Sequence, residues 1–343
     1  MGVPPQLAFP VWDLGLITSE EGGSDNVAMN ARALFLLVSL VARNAWAEYP
    51  EKPVKIIVPF SAGSGTDVVA RATGAALAKR MNVSVTVENM PSADGAVGTL
   101  AVAKSAPDGY TLLFTSNALT IAPYLSKKPT YDPVKDFVAV AQVATIPLVL
   151  VTGEKSRFKT FDDVIAEMRQ NPGKVRYATA GGGTLSHLEV ALMTRYFKVQ
   201  AQDQAYKSAE EALAATIGGK ADVFLANLPS ALATLNKGAL RALAVSSTNR
   251  VPRMSSVPTL GEAMKRPAYE SNVWFGLVAP SRTYFEILTR LEDEIGIELQ
   301  QPNVSARIEA VGGNVAFLRS APFGGQIGYE YRKWGQVAGA QAQ

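Results

Sequence analysis

From Lys52 onward the chain alternates short apolar runs with longer stretches whose apolar residues recur at helical spacing. The first run, Val54 to Val58, is continuously apolar and sits between prolines. That pattern predicts a strand buried on both faces, as in parallel sheets. Thr66 to Met81 carries Val69, Ala72, Ala76 and Leu77 on one stripe, which predicts a helix capped by Thr66 or Asp67. Val83, Val85 and Val87 alternate and predict a second strand. Residues 92–106 predict a loop leading into a short helix. A third strand is expected from Tyr110 to Phe114, ending in the polar loop Thr115-Ser116-Asn117. Further strands are expected at Val138 to Val143 and Pro147 to Val151.

The order then starts again. Thr160 caps a helix from Phe161 to Gln170, and Val175 to Thr179 reads as a strand. Gly181-Gly182-Gly183-Thr184 follows, then a helix from about Ser186 to Phe197. Ser208 and Glu211 stand at capping-box spacing, ahead of a helix that stops at Gly218 and Gly219. Ala221 to Ala226, Leu240 to Ser246 and Trp274 to Val278 predict strands, and Ser281 to Gln300 a long amphipathic helix. Such alternation predicts an α/β fold with parallel sheets and helices on both faces. Both halves carry one device: a strand, a glycine-rich loop with a threonine, then a helix.

The N-terminal pattern differs. From Met29 the sequence has one positive charge at Arg32, an apolar run from Ala33 to Ala42, and Ala45-Trp46-Ala47 just before Glu48. This is the layout of a cleaved secretory signal. The run is too short for a membrane span, which needs about 20 residues; a buried helix is the competing reading. Residues 1–28 lack periodicity and are expected to be an upstream extension of the gene model, with residues 29–47 as the signal. The mature chain should then be exported and begin near Glu48.

Composition narrows the chemistry. The 343 residues are 48% hydrophobic and 18% charged, ordinary for about two globular domains. A net charge of +3 without a basic stripe gives no nucleic-acid footprint. With no cysteine and a single histidine, disulfides, thiolate metal sites and multi-histidine zinc sites are excluded. No cofactor and no metal are expected.

In open α/β sheets, ligands sit beyond the carboxyl ends of the strands. Helix N-termini there present unpaired N–H groups and partial positive charge. Loop one (Phe60, Ser61, Ala62, Gly63, Ser64, Gly65, Thr66, Asp67) and loop two (Thr179 to Thr184) fit that place. No Gly-Lys-Ser/Thr occurs, so there is no P-loop. Gly63-Ser64-Gly65 is followed by Val68 where a dinucleotide fingerprint has glycine. A clasp for a bare anion or carboxylate remains, against a plain tight turn. Two similar loops in two halves favour one ligand gripped from both sides.

Catalytic machinery is thin. His187 follows loop two, but Gly-Thr-Leu-Ser-His-Leu lacks the G-x-S-x-G elbow. Ser186 or Ser61 with His187 would be the nucleophile and base of an exported hydrolase. No acid pair stands out, and Asp67 and Asp94 are isolated. The expectation is a packed His187 and binding without chemistry, so not an enzyme.

Several stretches, in order, resemble one family. They are Tyr49 to Arg71, Val87 to Phe114 with Pro-Asp-Gly-Tyr-Thr-Leu, Tyr131-Asp132-Pro133 to Val151, Tyr177 to Met193 with Gly-Gly-Gly-Thr-Leu-Ser-His-Leu, and Ala205 to Ala263 with Val-Pro-Thr. The chain from Tyr49 to its C-terminus is similar to the substrate-binding receptors of tripartite tricarboxylate transporters, also called Bug-type receptors. The resemblance implies a periplasmic, two-lobed Venus-flytrap fold, each lobe a mostly parallel sheet flanked by helices. Lobe one would be residues 48–151 plus 272–343, and lobe two 152–271, with crossovers near Val151 and Glu270 to Trp274.

It further implies a small carboxylate ligand held by backbone groups and waters. Contacts would come from loop one, from Thr115, Ser116 and Asn117, from loop two (Thr179, Gly181, Gly182, Gly183, Thr184), from His187 and from Asn227. The implied partners are integral-membrane permease subunits of a tripartite transporter, served by a monomeric receptor. A sensor subunit reporting to a signalling receptor is the alternative. Three stretches depart from the family: Gly63-Ser64 stands for Gly-Gly, Ala205-Tyr206-Lys207-Ser208 for Pro-Tyr-Lys-Gly, and Met90 to Gly95 for a more glycine-rich run.

Overall fold

The computed structural model describes residues 49–92, 95–126, 128–180, 184–267 and 269–341. The expected extension, the expected signal and the loop-two glycines Gly181, Gly182 and Gly183 lie outside these residues. The strands, numbered in chain order, form two sheets. The first holds β1 (Val54–Val58), β2 (Val85–Asn89), β3 (Thr111–Ser116), β4 (Phe137–Ile146), β10 (Val273–Pro280) and β11 (Asn314–Arg319), in the order β2-β1-β3-β10-β4-β11. The second holds β5 (Leu148–Gly153), β6 (Arg176–Thr179), β7 (Gln202–Ala205), β8 (Val223–Asn227) and β9 (Leu240–Val245), in the order β7-β6-β8-β5-β9. The helices are α1 (Gly65–Met81), α2 (Ala96–Ala103), α3 (Ala118–Leu125), α4 (Phe161–Gln170), α5 (Leu185–Phe197), α6 (Ala209–Ile217), α7 (Leu228–Asn236), α8 (Leu260–Ala263), α9 (Phe285–Glu298), α10 (Pro302–Ala310) and α11 (Ser320–Gln341).

The α/β, two-lobed architecture is as expected, but the sheets are mixed. β1 pairs in parallel with β2 and β3, and β6 with β7 and β8. β10 is antiparallel to β3 and β4, β11 to β4, and β5 to β8 and β9. Crossover geometry is the reason for β5 and β10. Strands that end at the cleft run toward it; a strand arriving from the other sheet starts at the cleft and runs away.

The chain first changes sheets at Pro147, between β4 and β5, and not near Val151, which lies inside β5. It returns between Val245 and Val273. Residues 138–151 conceal the first change because both strands are almost wholly apolar, Gln142 and Thr145 aside, and only Pro147 stands between them.

Each sheet is covered on both faces, which explains the continuous apolar runs. Val54, Ile56 and Val58 pack with α1 and α9 side chains such as Leu77 and Leu291, while Ile57 faces the opposite cluster with Trp274 and Phe323. Likewise Leu148 and Leu150 face one cluster of the second sheet, and Val149 and Val151 the other. α11 bridges the lobes: Phe323 and Ile327 pack on the first sheet, while Trp334 and Val337 join the core of the second.

Three local expectations shift. Ser64, not Thr66 or Asp67, caps α1, its Oγ accepting from Asp67 N at 3.3 Å. Thr115 and Ser116 are in β3, because β10 supplies them with partners Gly276 and Phe275. α9 starts at Phe285 rather than Ser281, since Arg282 takes φ 72°, which an α-helix cannot hold.

Gly276 in β10 shows how closely α11 approaches. A Cβ there would lie 2.5 Å from the Phe323 ring and 2.9 Å from the Ala141 carbonyl oxygen. Gly276→Ala should therefore lower unfolding free energy by about 1–3 kcal/mol, read as an earlier denaturant midpoint. An unchanged midpoint would show that α11 gives way freely.

Candidate functional site

The carboxyl ends of β3 and β8 face each other across the cleft between the sheets. There a cavity of about 340 Å³ is lined by Phe60, Ser116 and Asn117 from the first sheet's loops and by Thr184, Leu185, Ser186, Phe224 and Asn227 from the second. Of the expected contacts, Phe60, Ser116, Asn117, Thr184 and Asn227 thus come together. Ser61, Ala62, Gly63, Ser64, Gly65, Thr66, Asp67, Thr115, Thr179 and His187 are not part of its lining.

Loop one already holds an anion of its own. The Asp67 carboxylate is buried and accepts from Gly63 N at 2.9 Å, from Arg71 Nε at 3.1 Å and from Asn89 Nδ2 at 2.8 Å. Gly63 takes φ 82° to aim its N–H there, a conformation natural to glycine. Desolvation pushes the Asp67 pKa up, but the bonds from Arg71, Gly63 and Asn89 outweigh it and hold the carboxyl below its ordinary value of 3.8. Ser64 N donates to Ser61 O. The amides of Gly65 and Thr66 remain without an acceptor among the described residues. Asp67 therefore shapes the loop, its carboxylate committed to Gly63, Arg71 and Asn89.

At the end of β3, Ser116 and Asn117 diverge in role. The Asn117 amide is spent inside the protein: Oδ1 accepts from Trp274 N at 2.9 Å, and Nδ2 donates to Glu330 at 3.1 Å. Glu330, on α11, also accepts from Trp274 Nε1 at 2.9 Å and from Thr120 Oγ1 at 3.3 Å. Burial pushes its carboxyl pKa up against the pull of these donors and of Lys333. Ser116 makes no side-chain hydrogen bond among the described residues and is only 8% exposed, while lining the cavity. Asn227, at the end of β8, is exposed and its carboxamide is likewise uncommitted.

The flanks of loop two are spoken for. Thr184 caps α5, accepting from His187 N at 3.3 Å. Thr179 Oγ1 donates to Asp203 Oδ1 at 3.1 Å, and His187 Nε2 lies 3.8 Å from Asp203 Oδ2 with its ring stacked on Tyr177. Asp203, on the edge strand β7, thus draws Thr179 and His187 to the sheet edge. Ser186 Oγ donates to Leu225 O at 2.6 Å, so its hydroxyl hydrogen is spent on the backbone rather than on a base. The N–H groups of Leu185 and Ser186, in the first turn of α5, have no acceptor among the described residues.

Sequence reading missed the apolar wall: Ile121 and Leu125 of α3, Leu148 of β5, Leu185, and Phe224 and Leu225 of β8. Attention to the first turn after each strand would have found Leu185. The β5 and β8 residues look like ordinary core. A larger hollow, about 760 Å³, lies on the other face of the crossover strand, where Asn272 and Trp274 line it and Val273 lines the cavity. Of its polar groups, Lys333 pairs with Glu189 at 2.7 Å and Gln326 with Gln142 at 3.1 Å, while the Arg266 guanidinium lies over the Tyr269 ring with no carboxylate partner among the described residues. The smaller cavity, where strand ends of both sheets converge on uncommitted donors, is the better ligand site.

Two α/β sheets joined by crossovers, with a cavity at their facing strand ends, define a two-lobed solute-binding protein. The chain belongs to the tripartite tricarboxylate transporter receptor family, whose sequence profile matches residues 69–339. It is 33% identical over 307 residues to protein BugT of Bordetella pertussis, covering 89% of this chain and 94% of that one. Its fold is similar to Rpa4515 of R. palustris, solved with adipate, at 27% identity and TM-score 0.69, covering 85% and 97% of the two chains. It is also similar to MatC of Rhodopseudomonas palustris, solved with bound malate, at 28% identity and TM-score 0.66, covering 84% and 100%. Proteins of this family are solute receptors, and the chain is a receptor rather than an enzyme.

Asp67→Asn should lower stability at neutral pH by about 1.5–3 kcal/mol, the range for hydrogen bonds to a charged group. Because the folded pKa of Asp67 is depressed, its contribution is present above 3.8 and is lost as pH falls through the folded value. The gap between wild type and variant, followed by denaturant titration, should narrow below that pH. A gap independent of pH would exclude the ionic role.

Proposed function

We propose that the chain is an exported periplasmic receptor that captures a small carboxylate between its lobes and delivers it to integral-membrane permease subunits of a tripartite transporter. The observation that carries this reading is the cavity between the sheets, with the Leu185 and Ser186 amides, the Ser116 hydroxyl and the Asn227 carboxamide all uncommitted around it. Relatives solved with adipate and malate support a carboxylate as the solute class. Residues 29–47 would be removed on export. Among the described residues no helix is long and apolar enough to cross a membrane.

The lobes, exchanging between open and closed about the crossovers, work as a monomer. A carboxylate that meets donors of both lobes has more partners in the closed form. Only that difference in affinity shifts the population, and the closed surface is what the permease reads. Loop one contributes the Gly65 and Thr66 amides, which Asp67 and Ser64 hold in place.

The test is a thermal-shift panel on purified protein freed of solute by unfolding and refolding. Acetate, malate, adipate, hexanoate and benzoate are each paired with the matching amide. An acid at about 100 times its dissociation constant adds roughly 2.7 kcal/mol, and at least one acid should raise the melting temperature where its amide does not. Shifts from amides alone would overturn the carboxylate reading.

A further inference from the structure

The two crossovers meet at one residue. Ser246, just past the end of β9, is fully buried, and its N–H, hydroxyl and carbonyl are all spent on them. The N–H donates to Leu148 O at 2.9 Å, and the Oγ accepts from Leu148 N at 2.8 Å. The same hydroxyl donates to Asn272 Oδ1 at 2.8 Å, and the carbonyl accepts from Ser271 N at 3.1 Å. Leu148 is where the first crossover enters the second lobe; Ser271 and Asn272 are where the second crossover leaves it. Two further ties hold these segments to that lobe. Pro147 O accepts from Leu228 N of α7 at 2.9 Å, and Glu189 of α5 accepts from the Tyr269 and Ser271 hydroxyls.

The crossovers are neighbours on the first sheet as well. Ile146, the last residue of β4, pairs with Val273, the first of β10. Asn117 accepts from Trp274 N at 2.9 Å but reaches Asn272 O only at 3.4 Å, beyond the usual hydrogen-bond range. The first lobe therefore holds the chain up to Ile146 and again from Val273. The links left to turn are Ile146–Pro147 and Asn272–Val273, side by side. Hinges are a few element-terminal residues that absorb changes in φ and ψ, and Pro147 fixes one of these torsions. This line separates the two hollows: Val273 lines the cavity and Asn272 the larger space behind. Turning about it narrows one as it widens the other. The third span between the lobes, α11, borders the larger space.

Resting on the reading of lobes that exchange between open and closed forms, we infer that Ser246 is a positioning residue for solute capture. It clamps both crossovers to the second lobe, so that the lobes turn about one line through Ile146–Pro147 and Asn272–Val273. The clamp reaches the cavity in one step, because Leu148 pairs with Asn227 in the β5–β8 ladder and both line it. A hinge with one way to turn brings Ser116 and Asn227 to the same relative place at every closure. It also spares the solute the cost of ordering two independent linkers.

Spin-label distance measurements on purified, solute-free protein test this. The chain has no cysteine, so Lys79→Cys on α1 and Lys237→Cys after α7, both exposed, place one nitroxide on each lobe. In this labelled background, Ser246→Ala removes the hydroxyl from both crossovers. Asn272→Ala, at a half-buried position, removes only its tie to the second and leaves Leu148 N bonded, so the fold should survive. Both variants should broaden the distribution of distances between the lobes. An unchanged width in either overturns the inference, and a lower melting temperature with unchanged widths would make Ser246 a structural residue only. No solute enters the measurement, so its failure leaves the carboxylate reading standing, and failure of the thermal-shift panel leaves the clamp standing.

Discussion

A single buried junction ties the parts together. The Glu330 carboxylate, on α11, accepts from Trp274, Asn117 and Thr120. Asn117 in turn accepts from the Trp274 backbone. Four segments therefore meet at one acid: the end of β3, the first turn of α3, the start of β10 after the second crossover, and the bridging helix. A buried carboxylate is costly unless its lone pairs are filled. The junction consequently favours one arrangement of these segments over near alternatives. That arrangement presents Ser116 and Val273 to the cavity and leaves Asn272 and Trp274 on the far side.

Loop one obeys the same logic on a smaller scale. A helix N-terminus beside a strand end attracts negative charge, and here Asp67 supplies it from within. With Arg71 and Asn89 closing around the carboxylate, the loop is set before any solute arrives. Preorganisation of this kind spares a solute the cost of ordering the loop. The anion that the glycine loop attracts is first of all its own aspartate.

The alternation of strands and helices was legible because both faces of each sheet are covered, so apolar runs and helical stripes are clean. The helix from Phe161 to Gln170 begins at Thr160 as its cap predicts. Strand direction was not legible, since an apolar run reads the same in a parallel and an antiparallel pair. Hence β5 and β10 were not recognised as reversed, and the crossover at Pro147 was missed. In the site, Ser116 stood out as a polar residue at a strand end, and Asn227 was implied by the family resemblance. Asp67, Thr179 and His187 looked equally suitable by type and position. What separates them is long-range pairing with Asn89 and Asp203, which no local pattern reveals. The apolar wall was invisible for the opposite reason, because its residues resemble core.

The central claim is that a carboxylate binds between the two sheets and not in the larger hollow behind the crossover. Calorimetric titration with hexanoate separates the two sites if a tryptophan is placed in each in turn. Ala209, at the start of α6, lines the cavity, and Ala316, on β11, lines the hollow; both are half-buried. Ala209→Trp should weaken hexanoate binding by about tenfold or more, while Ala316→Trp should leave it unchanged. Loss of binding in Ala316→Trp with full binding in Ala209→Trp would contradict the account.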